Sequence, residues 1–75
     1  MDRKTQYKQL GLTIGYYRKL KGMTQVDLAN AVNLSRTHIS NLEAPSMPTS
    51  ISLEKLFDIA DVLDVPIKKF FDFRD

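Results

Sequence analysis

Hydrophobic residues recur at helical spacing along almost the whole chain. Leu10, Ile14 and Tyr17 follow one another at i, i+4 and i+7, and Lys19, Lys21 and Gly22 supply a composition typical of a helix end. A longer stripe of the same period lies in the second half of the chain and consists of Leu53, Leu56, Phe57, Ile59, Ala60 and Leu63. No alternating strand pattern interrupts these stripes, so the sequence predicts an all-α fold.

Capping residues predict two short helices in the middle of the chain. Thr24 is suited to cap a second helix, with Asp27 as its capping-box partner near the positive end of the helix dipole. Asn33 tolerates a positive φ, and Ser35 can cap a third helix over about residues 36–43. The apolar residues of these two helices are Leu28, Ala29, Val32, Ile39 and Leu42.

The remainder of the chain predicts a loop and two further helices. Two prolines and three hydroxyl residues mark residues 44–50 as a loop, and Ser50 or Ser52 can cap a fourth helix. Pro66 suits the first turn of a fifth helix carrying Ile67, Phe70 and Phe71. We therefore expect one domain over 1–75, a compact five-helix bundle in which helices four and five, about 51–71, serve packing and dimerisation.

The pair of helices at about 24–43 has the spacing of a helix-turn-helix. In that motif the second helix enters the major groove of DNA while the first lies across the backbone. Ile39 and Leu42 are expected to point inward, so the outward positions carry side-chain types that read base edges, namely Arg36, Thr37, Ser40 and Asn41. His38 lies on the flank, and a solvated histidine is expected there rather than a base contact or a pH switch.

Composition and charge narrow the function further. The chain has 75 residues, no cysteine and one histidine, which argues against a large enzyme, a disulfide scaffold and a metal site, and no cofactor or small-molecule effector is implied. No apolar run is long enough for a membrane span, and the polar start is unlike a signal peptide, so a cytoplasmic protein is expected. Residues 1–43 carry seven basic and three acidic residues, whereas residues 44–75 carry four and six. This asymmetry fits one face made for a polyanion, although charge alone leaves a chance fluctuation equally open.

Residues 10–71 resemble the Cro/CI-type (XRE-like) helix-turn-helix regulators, which share the lambda-repressor-like fold. The matching residues are Ile14, Arg18, Gly22 to Gln25, Leu28, Ala29, Asn33 to Ser35, Ile39, Ser40, Glu43, Leu53, Leu56, Ile59, Ala60, Leu63, Val65, Phe70 and Phe71. The resemblance implies a sequence-specific transcriptional regulator of double-stranded DNA, encoded by a bacterium or phage and acting at the nucleoid. It also implies base contacts from Arg36, Thr37 and Asn41, with Ser40 as a possible addition, and a structural salt bridge between Arg18 and Glu43.

The resemblance further implies a set of phosphate contacts. Gln25 matches a glutamine that binds phosphate and braces a base-reading side chain, and Tyr16 is expected to replace an arginine common where this chain has Gly15. The expected phosphate-contacting residues are Thr24, Gln25, Ser35, Tyr16, Ser46 and Lys21. Because Glu43 neutralises Arg18, the charge that faces DNA is expected on Arg36, on the lysines near the end of helix one and on an N-terminal arm.

The C-terminal aromatic residues suggest a partner surface. Three phenylalanines within four residues cannot all face one small core, so at least one is expected to be exposed. We expect a homodimer formed through Ile67, Phe70, Phe71 and Phe73 that binds a near-palindromic operator, with a fully packed monomer as the alternative. The same tail also leaves a second function open, a protein-interaction module of antitoxin or adaptor type on the same fold.

Overall fold

The computed structural model describes residues 1–44, 46 and 49–73 and confirms the all-α fold. Four α-helices, α1 (Arg3–Leu20), α2 (Gln25–Val32), α3 (Arg36–Glu43) and α4 (Leu53–Leu63), are followed by a 3₁₀ helix (Ile67–Phe71). Pro45, Met47 and Pro48 of the predicted loop lie outside the described residues, as do Arg74 and Asp75. No helix in the described part of the chain has both the length and the hydropathy to cross a membrane.

Helix α1 begins well before the first predicted apolar stripe. Asp2 caps it, because its Oδ1 accepts a hydrogen bond of 2.8 Å from the Thr5 amide, and Tyr7 packs against the core. The expected N-terminal arm is therefore wrong, since the residues from Arg3 onward form the first turns of a helix. Beyond Leu20 the chain turns through Gly22, whose φ of +76° lies in the region that favours glycine.

The two central helices have the predicted caps and bounds. The Thr24 hydroxyl accepts from the Asp27 amide at 3.0 Å, and the Asp27 carboxylate accepts from the Thr24 amide at 2.9 Å. Asn33 ends α2 at φ 58°, in the left-handed region, and Ser35 caps α3 by accepting from the His38 amide at 3.0 Å. The turn between the two helices is thus fixed by local hydrogen bonds and one left-handed residue.

A single core of the described residues lies between the four α-helices and the 3₁₀ helix. It is formed by the side chains of Leu10, Ile14, Leu28, Ala29, Val32, Ile39, Leu42, Leu56, Ile59, Ala60, Leu63 and Phe70. Gly11 lets α1 approach α3 closely, because a Cβ at this position would collide with the Leu42 carbonyl oxygen. Lys55 joins α4 to the end of α2 by donating from Nζ to the Val32 carbonyl oxygen at 2.8 Å.

The apolar stripe of α4 is narrower than predicted. Leu53 and Phe57 are 57% and 46% exposed, whereas Leu56, Ile59, Ala60 and Leu63 are buried. Leu53 and Phe57 lie on one flank of the helix, one turn apart, and the described elements leave this flank open to solvent. The buried face of α4 therefore comprises only part of the predicted stripe.

The fifth element is a 3₁₀ helix, and it separates the aromatic residues of the tail. Phe70 is only 1% exposed and packs in the core, with its ring centroid 6.2 Å from that of Tyr17. Phe71 is 49% exposed, and Phe73 is half-buried with its ring edge-on to that of Phe71. Phe70 is therefore excluded from a dimer surface, because its side chain fills the core of its own protomer; the expected exposed phenylalanine is Phe71.

Candidate nucleic-acid interface

Helix α3 has a buried apolar face and an opposite polar face whose side chains do not contribute to the core. Ile39 and Leu42 are buried against α1 and α2, which turns the opposite side of the helix outward. Arg36 and Thr37 are exposed, and Ser40 and Asn41 are half-exposed. None of these four side chains has a hydrogen-bond or ion-pair partner among the described residues. Their donors and acceptors are therefore available to a ligand.

The start of α2 presents backbone donors beside this helix. The capping box satisfies the amides of Thr24 and Asp27, but the first-turn amides of Gln25 and Val26 have no partner in the described part of the chain. Unpaired amides at the positive end of the helix dipole are a binding site for phosphate oxygens. The Thr24 hydroxyl accepts one backbone bond and keeps its own hydrogen to donate. Ser35, at the start of α3, is bonded in the same way.

An ion-pair network connects the helix-turn-helix to α1. Arg18 donates from Nε to Glu43 Oε2 at 2.7 Å, from Nη2 to Glu43 Oε1 at 2.8 Å and from Nη1 to the Met23 carbonyl oxygen at 2.7 Å. The two side chains are only 8% and 10% exposed. The hydrogen bonds to Glu43 raise the pKa of Arg18 above its ordinary value. The implied salt bridge is thus present, and its geometry is bidentate and shielded from water.

The structure distributes the remaining expected phosphate contacts over different surfaces. Tyr16 is 61% exposed and borders a groove together with Gly15 and Glu43, so it lies near the end of α3. Lys21 borders a different groove, beside α4 and its C-cap Asp64, to which no residue of α3 contributes. Ser46 is exposed in a turn between α3 and α4. Tyr16 therefore lies close to Glu43, whereas the groove that Lys21 borders lies beside α4.

Two contacts at this surface were missed by the sequence reasoning. Gln25 donates from Nε2 to Glu43 Oε1 at 3.2 Å, although these residues are 18 positions apart. His38 was expected to be solvated, but it is half-buried, and its Nε2 lies 3.3 Å from the Ser50 carbonyl oxygen. Both contacts join segments that are distant in sequence, and no local pattern of residues signals them.

Comparison with known proteins agrees with this geometry. A family model described as helix-turn-helix matches residues 14–70. The wild-type restriction-modification controller protein C.Esp1396I is 36% identical, with a TM-score of 0.75 over 89% of this chain and 86% of that one. The biofilm master regulator SinR, solved in complex with DNA, is 30% identical, with a TM-score of 0.76 over 84% of this chain and 98% of that one.

A third structure shows the same fold at lower identity. The clp gene regulator ClgR from Corynebacterium glutamicum is 26% identical, with a TM-score of 0.81 over 88% of this chain and 68% of that one. The comparison with curated protein sequences found no match. The family match covers more than half of the chain and includes α2, α3 and the ion pair. The chain therefore belongs to the Cro/CI-type (XRE-like) helix-turn-helix family of DNA-binding transcriptional regulators, which are not enzymes.

Proposed function

We propose that this protein regulates transcription by binding a specific, near-palindromic DNA site as a homodimer. The observation that supports the proposal most strongly is the polar face of α3. Arg36, Thr37, Ser40 and Asn41 have no partner among the described residues, although the opposite face of the same helix is buried. A helix held in this way can enter the major groove with its first two turns against base edges.

The side chains on α3 suit direct readout of bases. Arg36 can donate two hydrogen bonds to O6 and N7 of guanine, and Asn41 can pair with N6 and N7 of adenine. Thr37 can contact a thymine methyl group or a base-edge acceptor. Specificity is assigned to these three residues, with Ser40 as a further contact.

Affinity is assigned largely to phosphate contacts near the two helix starts. The free amides of Gln25 and Val26, the Gln25 carboxamide and the hydroxyls of Thr24 and Ser35 provide donors that do not depend on base sequence. Tyr16 can add its exposed hydroxyl. Because binding to the phosphates releases counterions from DNA, this affinity is expected to fall steeply as the salt concentration rises.

A two-fold dimer brings two copies of α3 to one DNA site, which lengthens the base sequence that is recognised. The protomer measures 31 × 24 × 22 Å, so two copies side by side can place their α3 helices about 34–36 Å apart, which is one turn of DNA. The proposed contact surface consists of Phe71, which is half-exposed, together with the partly exposed Ile67 and Phe73. Phe70 supports this surface from inside the core.

The test of base readout is a substitution at Arg36. On a duplex recovered by selection from a random pool, we expect Arg36→Ala to lose about 1–3 kcal/mol of binding free energy and to relax discrimination at one base pair. Arg36→Lys keeps the charge but lacks the planar fork, so it should lose discrimination in the same direction. Asn30→Ala, at an exposed position of α2, is the control and should bind like the wild type. An equal loss for Arg36→Ala on selected and scrambled duplexes would show that Arg36 contacts only phosphate.

The second candidate function is a protein-interaction module, and the exposed Phe71 is the observation in its favour. The two functions differ in their response to nucleic acid. A mobility shift on genomic DNA fragments that weakens with salt supports the regulator. Binding to a protein partner, with no shift on any duplex, supports the interaction module.

A further inference from the structure

We propose that Glu43 is a positioning residue for DNA binding, because it holds the Gln25 carboxamide in the orientation that donates to a DNA phosphate. This inference rests on the proposed function. It gives Glu43 a task beyond its salt bridge with Arg18. In the free protein, Glu43 orients the Gln25 side-chain amide, a hydrogen-bond donor at the start of α2.

Two hydrogen bonds from Arg18 hold the Glu43 carboxylate in one orientation. Oε2 accepts from Arg18 Nε at 2.7 Å, and Oε1 accepts from Arg18 Nη2 at 2.8 Å, so both oxygens are engaged by the same guanidinium group. Arg18 is fixed in turn by its third bond, to the Met23 carbonyl oxygen, which directly precedes the capping residue of α2. Glu43 is thereby an acceptor with a defined direction.

Gln25 uses that acceptor. Its Nε2 donates to Glu43 Oε1 at 3.2 Å, and an amide nitrogen has two hydrogens in one plane. Fixing one of them leaves the other N–H and the Oε1 atom with a set orientation. A Cβ at Gly15 would lie 3.2 Å from Glu43 Oε1, so the glycine leaves the carboxylate space on this side.

The held amide belongs to the same turn as the free backbone donors of Gln25 and Val26. A phosphate oxygen placed on those amides meets a side-chain donor that is already oriented. Ordering a flexible glutamine before binding lowers the entropy cost of the contact, which increases affinity without any new contact to DNA.

If Glu43 acted only through its negative charge, it would weaken DNA binding, whereas a positioning role strengthens it. Substitution of Glu43 therefore distinguishes the two. A negative charge near phosphates repels them, so Glu43→Gln should tighten DNA binding if only charge mattered. If Glu43 positions Gln25, we expect Glu43→Gln to bind roughly 3- to 10-fold more weakly, as for the loss of one hydrogen bond. Gln25→Ala should lose a similar factor, and the double variant should bind no more weakly than Gln25→Ala. The control is Glu54→Gln, which removes an exposed charge at the start of α4 and should not weaken binding.

The measurement is the dissociation constant at low temperature, with the folded fraction of each variant determined by circular dichroism under the same conditions. If Glu43→Gln does not fold, Gln25→Asn replaces it. This shorter amide at a half-buried position cannot span to Glu43 and should lose the same factor as Gln25→Ala. Tighter binding by Glu43→Gln, additive losses in the double variant, or wild-type affinity for Gln25→Asn would overturn the proposal.

A second readout uses the wild-type protein without DNA. The side-chain amide of Gln25 should show restricted motion in ¹⁵N relaxation, compared with the exposed Asn30 on the same helix. Equal mobility of the two amides would also overturn the proposal. If the wild type binds no duplex while the Gln25 amide is ordered, the hydrogen bond between Gln25 and Glu43 is present but the proposed function is wrong. Failure of the proposed function can therefore be distinguished from failure of the positioning role of Glu43.

Discussion

Replacing Arg18 by methionine should bring the domain close to unfolding. The substitution keeps an unbranched apolar chain but removes three hydrogen bonds, two to Glu43 and one to the Met23 carbonyl oxygen. Because the Glu43 side chain is only 10% exposed, its carboxylate then loses its counter-charge without regaining water. Breaking a buried pair in this way costs about 3–5 kcal/mol. A domain of 75 residues has a total stability of about 4–11 kcal/mol, so the loss is a large share of it.

The assay is urea denaturation followed by circular dichroism, with a matched double variant. Arg18→Met/Glu43→Leu removes both charges and should regain most of the stability, since no charge is then buried alone. The comparison pair is Lys55 and Asp58, which lie 3.9 Å apart and are 31% and 46% exposed. Asp58→Asn should cost less than about 1 kcal/mol, as is usual for surface pairs.

The outcome that would refute this reasoning is a small effect of the single substitution. If Arg18→Met costs no more than Asp58→Asn, water screens the pair in solution despite its low exposure. The Arg18–Glu43 bridge would then be no more than a surface contact.

Two further predictions concern backbone packing and acid sensitivity. Gly11→Ala should destabilise by about 3 kcal/mol or more, because its methyl group would overlap the Leu42 backbone carbonyl. Gly15→Ala should destabilise less, because its methyl group would meet the Glu43 side chain at 3.2 Å rather than backbone; a loss in urea as large as that of Gly11→Ala would contradict this. The Thr24 amide and hydroxyl lower the pKa of Asp27. The cap should therefore contribute fully above the ordinary aspartate pKa and be lost as pH falls through the lower native value. NMR titration of the Asp27 carboxyl checks this, and a midpoint at or above the ordinary value would contradict it.

The middle of the fold could be predicted because its determinants are local. Thr24, Asn33 and Ser35 act on amides and carbonyls within five residues of themselves, so their residue types and spacing set where α2 and α3 begin and end. The division of α3 into buried and exposed faces follows from Ile39 and Leu42 in the same way. These features also define the face assigned to base readout.

The parts that could not be predicted depend on tertiary packing. Phe70 enters the core because the 3₁₀ helix packs against α1 beside Tyr17. The position of that contact depends on tertiary packing and cannot be predicted from the local sequence. The exposure of Leu53 and Phe57 depends on which flank of α4 its neighbours cover. The bond between Gln25 and Glu43 needs α1, α2 and α3 to be in place together.

The most direct test of the central claim is selection of bound sequences from a pool of random duplexes, using the wild-type protein. The account predicts enrichment of two inverted half-sites whose centres are about 10–10.5 base pairs apart, or a multiple of that spacing. It also predicts that selection with Arg36→Ala recovers the same arrangement with one base position relaxed. A wild-type pool that shows no enriched sequence after repeated rounds would contradict the claim that α3 reads DNA.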